Sequence, residues 1–457
     1  MKRNSYSKNY WVLNLMQMLE RLSYWSVVLQ MPIYIAQKDI AGTLGWSHLE
    51  KGIIYFWWAL VQNLIPLVSG YLADKYGRKR IFVFSFVLTI LGFITLSMTH
   101  QFYPFLFATL LLGAGLGFFK PVLQGAIAGE LKDRNSSSGW GLYVLLVNLS
   151  VFLAPPLSIY MKGYSWSWLF WGSAIIFSLN FLILPFLRIK QNKNESLINV
   201  KKFFRAFFKK EILLFIGLMS GFTIVYMQFY ETLPNFIYDW IDTSAVAAKL
   251  HLPDFMLMTT PNGKMIAFEW LYNLNTGLII LFVVPMAYLT RKFNILKVIS
   301  VGILIASIGL GFCGFFYFGS LVMLGFIIYT FGEMITSPKF TEYLGKIAPD
   351  GEKSIYLSFL NVSWAIGLSL GGIIGGWFYN HYGEKALLAQ KYLAETYHQQ
   401  GISLADSFSR LSELSNIRGI ELANLLQKTY HPEIIWVPFI ILGLASSLGL
   451  YLLSKKK

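Results

Sequence analysis

A short polar segment, Gly70–Arg80, reads GYLADKYGRKR and separates two long apolar runs of the chain. Gly70 permits the close approach of a neighbouring helix, and Gly77 permits a tight turn. Between them, Asp74 can cap the N-terminus of a neighbouring helix or pair with an arginine. The basic residues are typical of a cytoplasmic turn in a membrane protein. The segment therefore predicts two membrane-spanning helices joined by a short charged turn.

The composition indicates a protein that spans a membrane several times. Of 457 residues, 55% are hydrophobic and 13% are charged, whereas roughly 25% charged residues is typical of soluble domains. The net charge of +15 does not indicate nucleic-acid binding, because the basic residues gather in short segments between apolar runs. The single cysteine, Cys313, excludes an intramolecular disulfide and a cysteine metal site. We expect no metal and no other cofactor.

Twelve apolar runs are long enough to span a bilayer. They lie near 11–37, 51–73, 80–98, 104–130, 139–161, 165–187, 212–238, 268–290, 296–317, 319–347, 354–379 and 434–453. A basic cytoplasmic linker, 188–211, separates the first six runs from the last six. We therefore expect an all-α membrane protein with an N-terminal six-helix bundle at 1–187 and a C-terminal six-helix bundle at 212–457.

The positions of the basic residues predict the orientation. If every run spans once, both termini, the 74–80 turn and the linker lie on one side, which the positive-inside rule makes cytoplasmic. We expect a multi-pass protein of the plasma (inner) membrane without a cleavable signal peptide. All six histidines map to the outer side or its rim. That side also receives the insertion 380–433, whose helical patterns predict a small cap that either decorates the carrier or has a gating or partner-binding role.

Two pairs of similar segments, each separated by the same number of residues, indicate an internal repeat. Tyr71–Tyr76 and Tyr288–Phe293 each end the second run of a half. The same offset carries Lys120-Pro121 in the fourth run onto Ser337-Pro338. Parallel repeats of six helices place a substrate site near the membrane midplane, between the halves.

Charged residues inside the apolar runs mark the candidate functional sites. They are Glu20, Arg21, Lys120, Glu231 and Glu333. A charge at bilayer depth costs about 3 kcal/mol even on lenient scales, so each is expected to face a partner or a watery cavity. Glu20 and Arg21 share one helical stripe with Gln17 and Tyr24. This stripe either takes part in transport or contains a static ion pair that fixes helix packing.

The segment Gly70–Arg80 resembles the loop signature of the major facilitator superfamily, between its second and third helices. The resemblance implies two six-helix halves that rock around a central site. It also assigns a gating role to the loop residues Gly70, Asp74, Gly77 and Arg78.

A second resemblance covers most of the membrane core. Glu20–Trp25, which reads ERLSYW, is similar to the Glu-x-x-Glu-Arg-Phe signature of the proton-dependent oligopeptide transporters. Residues that match that family in order and setting are Lys120, Pro121, Asn148, Asn275 and Gly332–Pro338. The resemblance implies that the lysine and the first-helix charges serve proton coupling and recognition of a peptide carboxylate, while Glu333 receives the peptide amine. Positions that depart from the family's pattern are Gln17, Val28, Asn63 and Met227.

These patterns together predict the roles of individual side chains. Proton coupling is assigned to Glu20, Glu231 and Glu333. Substrate binding is assigned to Arg21, Tyr24, Lys120, Asn148, Gln228, Asn275 and Glu333. Glu231 lies one turn beyond Met227, and we expect it to pair with Lys120 and to release it on protonation.

The predicted function is proton-coupled symport of a small polar or zwitterionic, peptide-like solute by alternating access. The alternative is efflux of amphipathic drugs or metabolites by proton antiport. An enzyme is not expected, because no catalytic motif is visible in the outer segments; a receptor on a carrier scaffold is the remaining class. We expect a monomer that binds its solute, protons and the lipid bilayer but no nucleic acid, and we leave open an external partner for the insertion 380–433.

Overall fold

The computed structural model describes residues 6–131, 136–188, 200–260, 263–350 and 352–456. Helices account for most of these residues, and the prediction of an all-α membrane protein is confirmed. Much of the predicted linker 188–211 lies outside the described residues, as do residues 132–135 between the fourth and fifth predicted runs.

Proline positions explain where the helices of the structure begin and break. Helices before residue 210 are α1 (Lys8–Val28), α2 (Met31–Ala36), α3 (His48–Leu64), α4 (Pro66–Tyr76), α5 (Arg78–Met98), α6 (Phe102–Glu130), α7 (Ser136–Tyr164), α8 (Trp166–Ile183) and α9 (Val200–Phe207). Helices after it are α10 (Lys210–Glu231), α11 (Leu233–Trp240), α12 (Ser244–Lys249), α13 (Phe268–Thr290), α14 (Ile295–Phe315), α15 (Gly319–Ile347), α16 (Lys353–Phe378), α17 (Lys385–Tyr397), α18 (Leu404–Ser415), α19 (Gly419–Tyr430) and α20 (Val437–Lys455). Pro32, Pro66 and Pro234 each lie in the first turn after a break, where a missing backbone donor is tolerated.

Eleven of the twelve predicted runs correspond to candidate membrane spans. Ten helices of the described residues are long and apolar enough to cross a membrane, and the pair α3 and α4, bent by 42°, makes an eleventh if it forms one span. The first predicted run, 11–37, corresponds to α1 and α2, neither of which is both long and apolar enough to be counted. The polar stripe that contains Glu20 and Arg21 lowers the hydropathy of α1.

A small hairpin lies between the predicted runs 212–238 and 268–290. Strand β1 (Leu257–Thr260) pairs antiparallel with β2 (Gly263–Ile266), with Leu257 opposite Ile266 and Thr260 opposite Gly263. Strands of four residues are too short to produce a clear periodic signal in the sequence. The hairpin was therefore missed.

Backbone contacts divide the chain into two compact units. Unit 1 comprises 1–29, 57–217 and 344–369; unit 2 comprises 30–56, 218–343 and 370–457. Within unit 1, α1 packs against α7 and α8, and α5 packs against α6 and α8. Within unit 2, α14 packs against α20, and the Ser300 and Ser447 hydroxyls donate to each other's carbonyl oxygens at 2.7 and 2.8 Å.

Unit 2 contains the segment 30–56 of the predicted first half as well as most of the predicted second half. The division into two six-helix halves stays a prediction. What the structure establishes is that α2 and the first turns of α3 share a compact unit with α11 and the end of α16.

Candidate functional site

The predicted polar stripe of α1 forms a hydrogen-bonded cluster in unit 1. Arg21 donates through Nε and Nη2 to both Glu20 carboxylate oxygens at 2.5 Å. Gln17 Nε2 donates to Glu20 Oε2, also at 2.5 Å. The Glu20 side chain is buried, so these bonds compensate for the loss of its hydration.

Side chains of α3 and α7 complete this cluster. Tyr143 donates its hydroxyl to Gln17 Oε1 at 3.2 Å, and Gln62 Nε2 donates to the Tyr24 hydroxyl at 3.1 Å. The Arg21 guanidinium lies over the Tyr24 ring, 5.3 Å from its centroid. Gln17, which stands where the resemblance predicts a glutamate, therefore acts as a hydrogen-bond link between Glu20 and Tyr143.

Two predicted binding residues of unit 1, Lys120 and Asn148, are exposed and partly buried respectively. Lys120 on α6 lies within electrostatic range of Arg21 and Glu20. Asn148 on α7 donates to the Val144 carbonyl of its own helix at 2.9 Å. Lys120 thus lies beside the α1 cluster. The Asn148 side-chain amide is engaged in a hydrogen bond within its own helix.

Asn275 and Glu333, each predicted to bind substrate, are in contact in unit 2. Asn275 Nδ2 donates to Glu333 Oε2 at 3.2 Å and to Thr330 Oγ1 at 2.9 Å. The Tyr230 hydroxyl donates to Asn275 Oδ1 at 3.4 Å. Glu333 is 9% exposed, and Pro338 on the same helix removes a backbone donor one turn later. One Asn275 side chain therefore links a buried carboxylate to a tyrosine hydroxyl.

Aromatic rings surround this carboxylate cluster. Tyr226 and Tyr230 have ring centroids 4.6 Å apart, and Tyr230 lies 5.6 Å from Tyr272. Phe229 stacks on Tyr329 at 3.8 Å. Tyrosine faces attract organic cations, so a buried carboxylate among them is suited to an amine or another cationic group.

Glu231 pairs with a lysine that the sequence analysis did not consider. Lys51 Nζ lies 2.7 Å from Glu231 Oε1, and it donates to Asn235 Oδ1 at 3.0 Å and to the Glu231 carbonyl at 3.2 Å. Thr232 donates its hydroxyl to Glu231 Oε2 at 2.7 Å. Lys51 and Glu231 are both fully buried. The expected partner was Lys120, whereas the observed partner is Lys51.

A local sequence motif predicts the position of Lys51 in a helix but does not predict its burial. Ser47 and Glu50 form a capping box, in which each side chain accepts a hydrogen bond from the other's backbone amide at 3.1 and 2.8 Å. This motif fixes the start of α3 and puts Lys51 in its first turn. The helices that cover that turn cannot be read from the motif, because α10 and α11 lie far away in the chain.

Glycines allow α3 and α16 to cross closely beside this ion pair. A Cβ atom on Gly376 would lie 2.2 Å from the His48 carbonyl oxygen, and one on Gly52 would lie 2.5 Å from the Gly372 carbonyl oxygen. Gln228 Nε2 donates to the neighbouring Gly371 carbonyl at 3.0 Å. Gln228, predicted to bind substrate, therefore has a packing contact with α16 in this structure.

The predicted gating loop has one expected contact and lacks another. Asp74 Oδ1 lies 3.9 Å from Arg78 Nη2, and Gly77 has a φ of 95°, which suits the tight turn between α4 and α5. A Cβ atom on Gly70 would meet no atom of the described residues within 4 Å. The close helix approach expected at Gly70 is therefore not seen among the described residues.

Comparisons with known proteins identify the family. The model of the Major Facilitator Superfamily matches residues 13–250 and 244–389. The multidrug resistance protein MdtH of Yersinia enterocolitica is 20% identical over 345 residues, which is 74% of this chain and 79% of that protein.

Solved structures with the same fold include several transporters. A POT family transporter in complex with 5-aminolevulinic acid aligns with a TM-score of 0.65 and 16% identity, covering 93% of this chain and 96% of the other. The nucleoside transporter NupG aligns with a TM-score of 0.71 and 12% identity, covering 97% and 99%. A bacterial homologue of the human drug peptide transporters aligns with a TM-score of 0.66 and 16% identity, covering 98% and 99%. The fold and the matched residues show that this chain is a membrane transporter that belongs to the Major Facilitator Superfamily.

Proposed function

We propose that this transporter moves a small zwitterionic, peptide-like solute together with protons. The observation that carries the proposal is the buried Glu333 carboxylate, which Asn275 holds beside Tyr230 in unit 2. A carboxylate that has lost most of its hydration gains strongly from a charge-assisted hydrogen bond to an amine. In this proposal Glu333 receives the amine of the solute, and Arg21 and Lys120 of unit 1 receive its carboxylate.

The names of similar proteins support two candidate functions. The POT family transporters of similar fold are described with 5-aminolevulinic acid and with a peptide conjugate, both of which carry an amine and a carboxylate. MdtH is named as a multidrug resistance protein, and the tyrosines around Glu333 would also suit an amphipathic cation. Proton antiport of such drugs is therefore the second candidate function.

The proposal also includes the expectations from the sequence about coupling, mechanism and location. Glu20, Glu231 and Glu333 carry the coupled protons, and the protein works as a monomer by alternating access between two six-helix halves. It lies in the plasma membrane with both termini in the cytoplasm and has no enzymatic activity. The loop residues Asp74, Gly77 and Arg78 act in the conformational cycle.

The substrate class can be tested with purified protein and a Glu333→Gln variant. Dipeptides are expected to raise the melting temperature of the wild type more than lipophilic cations do, at pH 6 and at pH 8. In proteoliposomes, Glu333→Gln is expected to lower dipeptide uptake about tenfold or more, because a hydrogen bond to a charged group contributes roughly 1.5–3 kcal/mol.

The matched control is Glu421→Gln, which removes an exposed carboxylate of α19. Its uptake should equal that of the wild type. Stabilisation by lipophilic cations alone would support drug efflux instead. Unchanged dipeptide uptake by Glu333→Gln would contradict the assignment of the amine to Glu333.

A further inference from the structure

The inserted helices α17 to α19 begin with two buried charges that contact the segment 30–56. Glu384 pairs with Lys38, and both side chains are largely buried. Lys385 Nζ lies 3.7 Å from Asp239 Oδ1 and 3.9 Å from Asp39 Oδ2. All five residues belong to unit 2. The start of the insertion is therefore tied by charge both to the end of α11 and to the segment after α2.

Asp239 is the most buried carboxylate of this cluster. It is 4% exposed and lies on α11, beyond the membrane span that ends at Glu231. The Tyr379 hydroxyl donates to Asp239 Oδ2 at 2.6 Å, and Gln37 Nε2 donates to Oδ1 at 3.4 Å. Both oxygens thus accept hydrogen bonds, one from α2's C-terminal end and one from the turn that follows α16.

Burial raises the pKa of Asp239 to about 6. Lys385 and the Tyr379 hydroxyl lower this pKa, whereas the carboxylates of Asp39 and Glu384 raise it. Other titratable groups that face the cluster are Lys38, which pairs with Glu384; His48, whose ring lies 4.1 Å from that of Tyr379; Lys51 on α3; and Tyr238 on α11. Desolvation has the largest effect, so the carboxyl is more basic here than an exposed aspartate.

The cluster surrounds a cavity of about 20 Å³, which is large enough for one water molecule. Its lining includes Asp39, His48, Asp239 and Lys385. The Lys385 ammonium and His48 Nδ1 have no hydrogen-bond partner among the described residues. Asp239 therefore borders a space lined in part by polar side chains, in which a water molecule can bring a proton to it.

The difference in the pKa of Asp239 between the closed and the open arrangement determines which arrangement a rise in pH favours. If the segment 30–56 separates from α11, Asp239 becomes exposed to water and its pKa returns towards the ordinary value of about 3.9. A carboxyl with a higher pKa in the closed arrangement binds its proton more tightly there. Protonation therefore stabilises the closed arrangement below about pH 4, and this stabilisation is lost as the pH rises through 6.

We propose that Asp239 is a further proton-binding site of this transporter, filled when the segment 30–56 closes on α11 and held in place by Glu384 and Lys385 of the insertion. Closing this end of unit 2 then takes up a proton from the side that carries the insertion. The use of that proton in transport rests on the proposed function, but the binding itself does not.

A reporter cysteine tests the proposal without substrate or gradient. Ala36 on α2 is 2% exposed and lines the cavity. We would introduce Ala36→Cys into a Cys313→Ala background and measure labelling of purified protein by a maleimide, normalised to an exposed Ser409→Cys reporter. From the two pKa values, labelling should increase roughly 25-fold between pH 4.5 and pH 7.5.

Variants of the cluster separate the site from a general pH effect. Asp239→Asn is expected to label slowly at every pH, because its amide mimics the protonated carboxyl. Lys385→Met is expected to move the labelling midpoint to higher pH, because it removes the cation that favours the ionised form. The controls Glu421→Gln and Lys391→Met change exposed charges of the insertion and should behave as the wild type.

Retention of the wild-type pH profile by both Asp239→Asn and Lys385→Met would overturn the proposal. Labelling of the Ala36→Cys reporter that does not change with pH, in the protein without cluster variants, would also overturn it. A transporter that fails to take up peptides but keeps this labelling profile would refute the proposed substrate and leave the proton site standing.

Discussion

Lys51→Met is expected to lower both the melting temperature and the uptake of this transporter severely. The substitution leaves Glu231 fully buried without its cation, and it also removes the ammonium that Asn235 accepts from. Loss of one partner from a buried ion pair costs roughly 3–5 kcal/mol, because the remaining charge stays out of water. Thermal unfolding of purified protein and uptake into proteoliposomes measure the two effects.

A double variant separates the cost of an unpaired charge from the role of the pair. Lys51→Met combined with Glu231→Gln leaves no buried charge at this position, so most of the lost stability should return while uptake stays low. Lys391→Met, at an exposed lysine of α17, is the matched control and should unfold as the wild type. A normal melting temperature for Lys51→Met alone would show that the pair is not buried as described.

Glu231→Gln alone tests the coupling role of the same pair. If Glu231 carries a proton, the variant should take up solute with a weaker dependence on pH than the wild type. Reduced uptake that keeps the wild-type dependence on pH would remove Glu231 from the coupling residues and leave Lys51 and Glu231 as a structural pair.

The second large effect is expected from Gly376→Ala. The new Cβ atom would lie 2.2 Å from the His48 carbonyl oxygen, so α3 and α16 must move apart for the variant to fold. The backbone of α3 cannot yield as a flexible side chain would. We expect uptake to fall about tenfold or more, since a separated crossing also strains the nearby Lys51–Glu231 pair, whose rupture alone costs several kcal/mol. The Ala36→Cys reporter should label faster at every pH.

Gly217→Ala is the matched control for this variant. It makes the same substitution in α10 at a position where a Cβ atom would meet nothing within 4 Å. This control should transport normally and be slightly more stable, because alanine is the better helix former. Normal uptake and slow labelling by Gly376→Ala would contradict the inference that this crossing must stay tight.

The sequence predicted contacts between residues that are close in the chain. Glu20 and Arg21 are adjacent on α1, and Arg78 follows Asp74 across the short turn at Gly77, so a small separation in the chain brings each pair together. Asn275 and Glu333 lie on different helices; the resemblance to peptide transporters named both as binding residues but did not predict their contact. Apolar periodicity located eleven of the spans because each span is a long uninterrupted signal.

The contacts that sequence reasoning missed depend on distant segments that cross. Lys51 is an ordinary first-turn lysine until α10 and α11 cover it with Glu231 and Asn235. The three residues Gly52, Gly372 and Gly376 are close to other backbone only because α3 and α16 meet there. The open surroundings of Gly70 show the opposite case, in which a glycine suited to close packing has no neighbour among the described residues.

The direction of proton movement during uptake distinguishes symport from antiport. Wild-type protein would be reconstituted into vesicles that contain a pH-sensitive dye, in equal buffer on both sides, and a dipeptide would be added outside. Symport predicts that the lumen becomes more acidic as the dipeptide enters, because protons move with the solute. Uptake that leaves the luminal pH unchanged, or that makes the lumen more alkaline, would contradict the account.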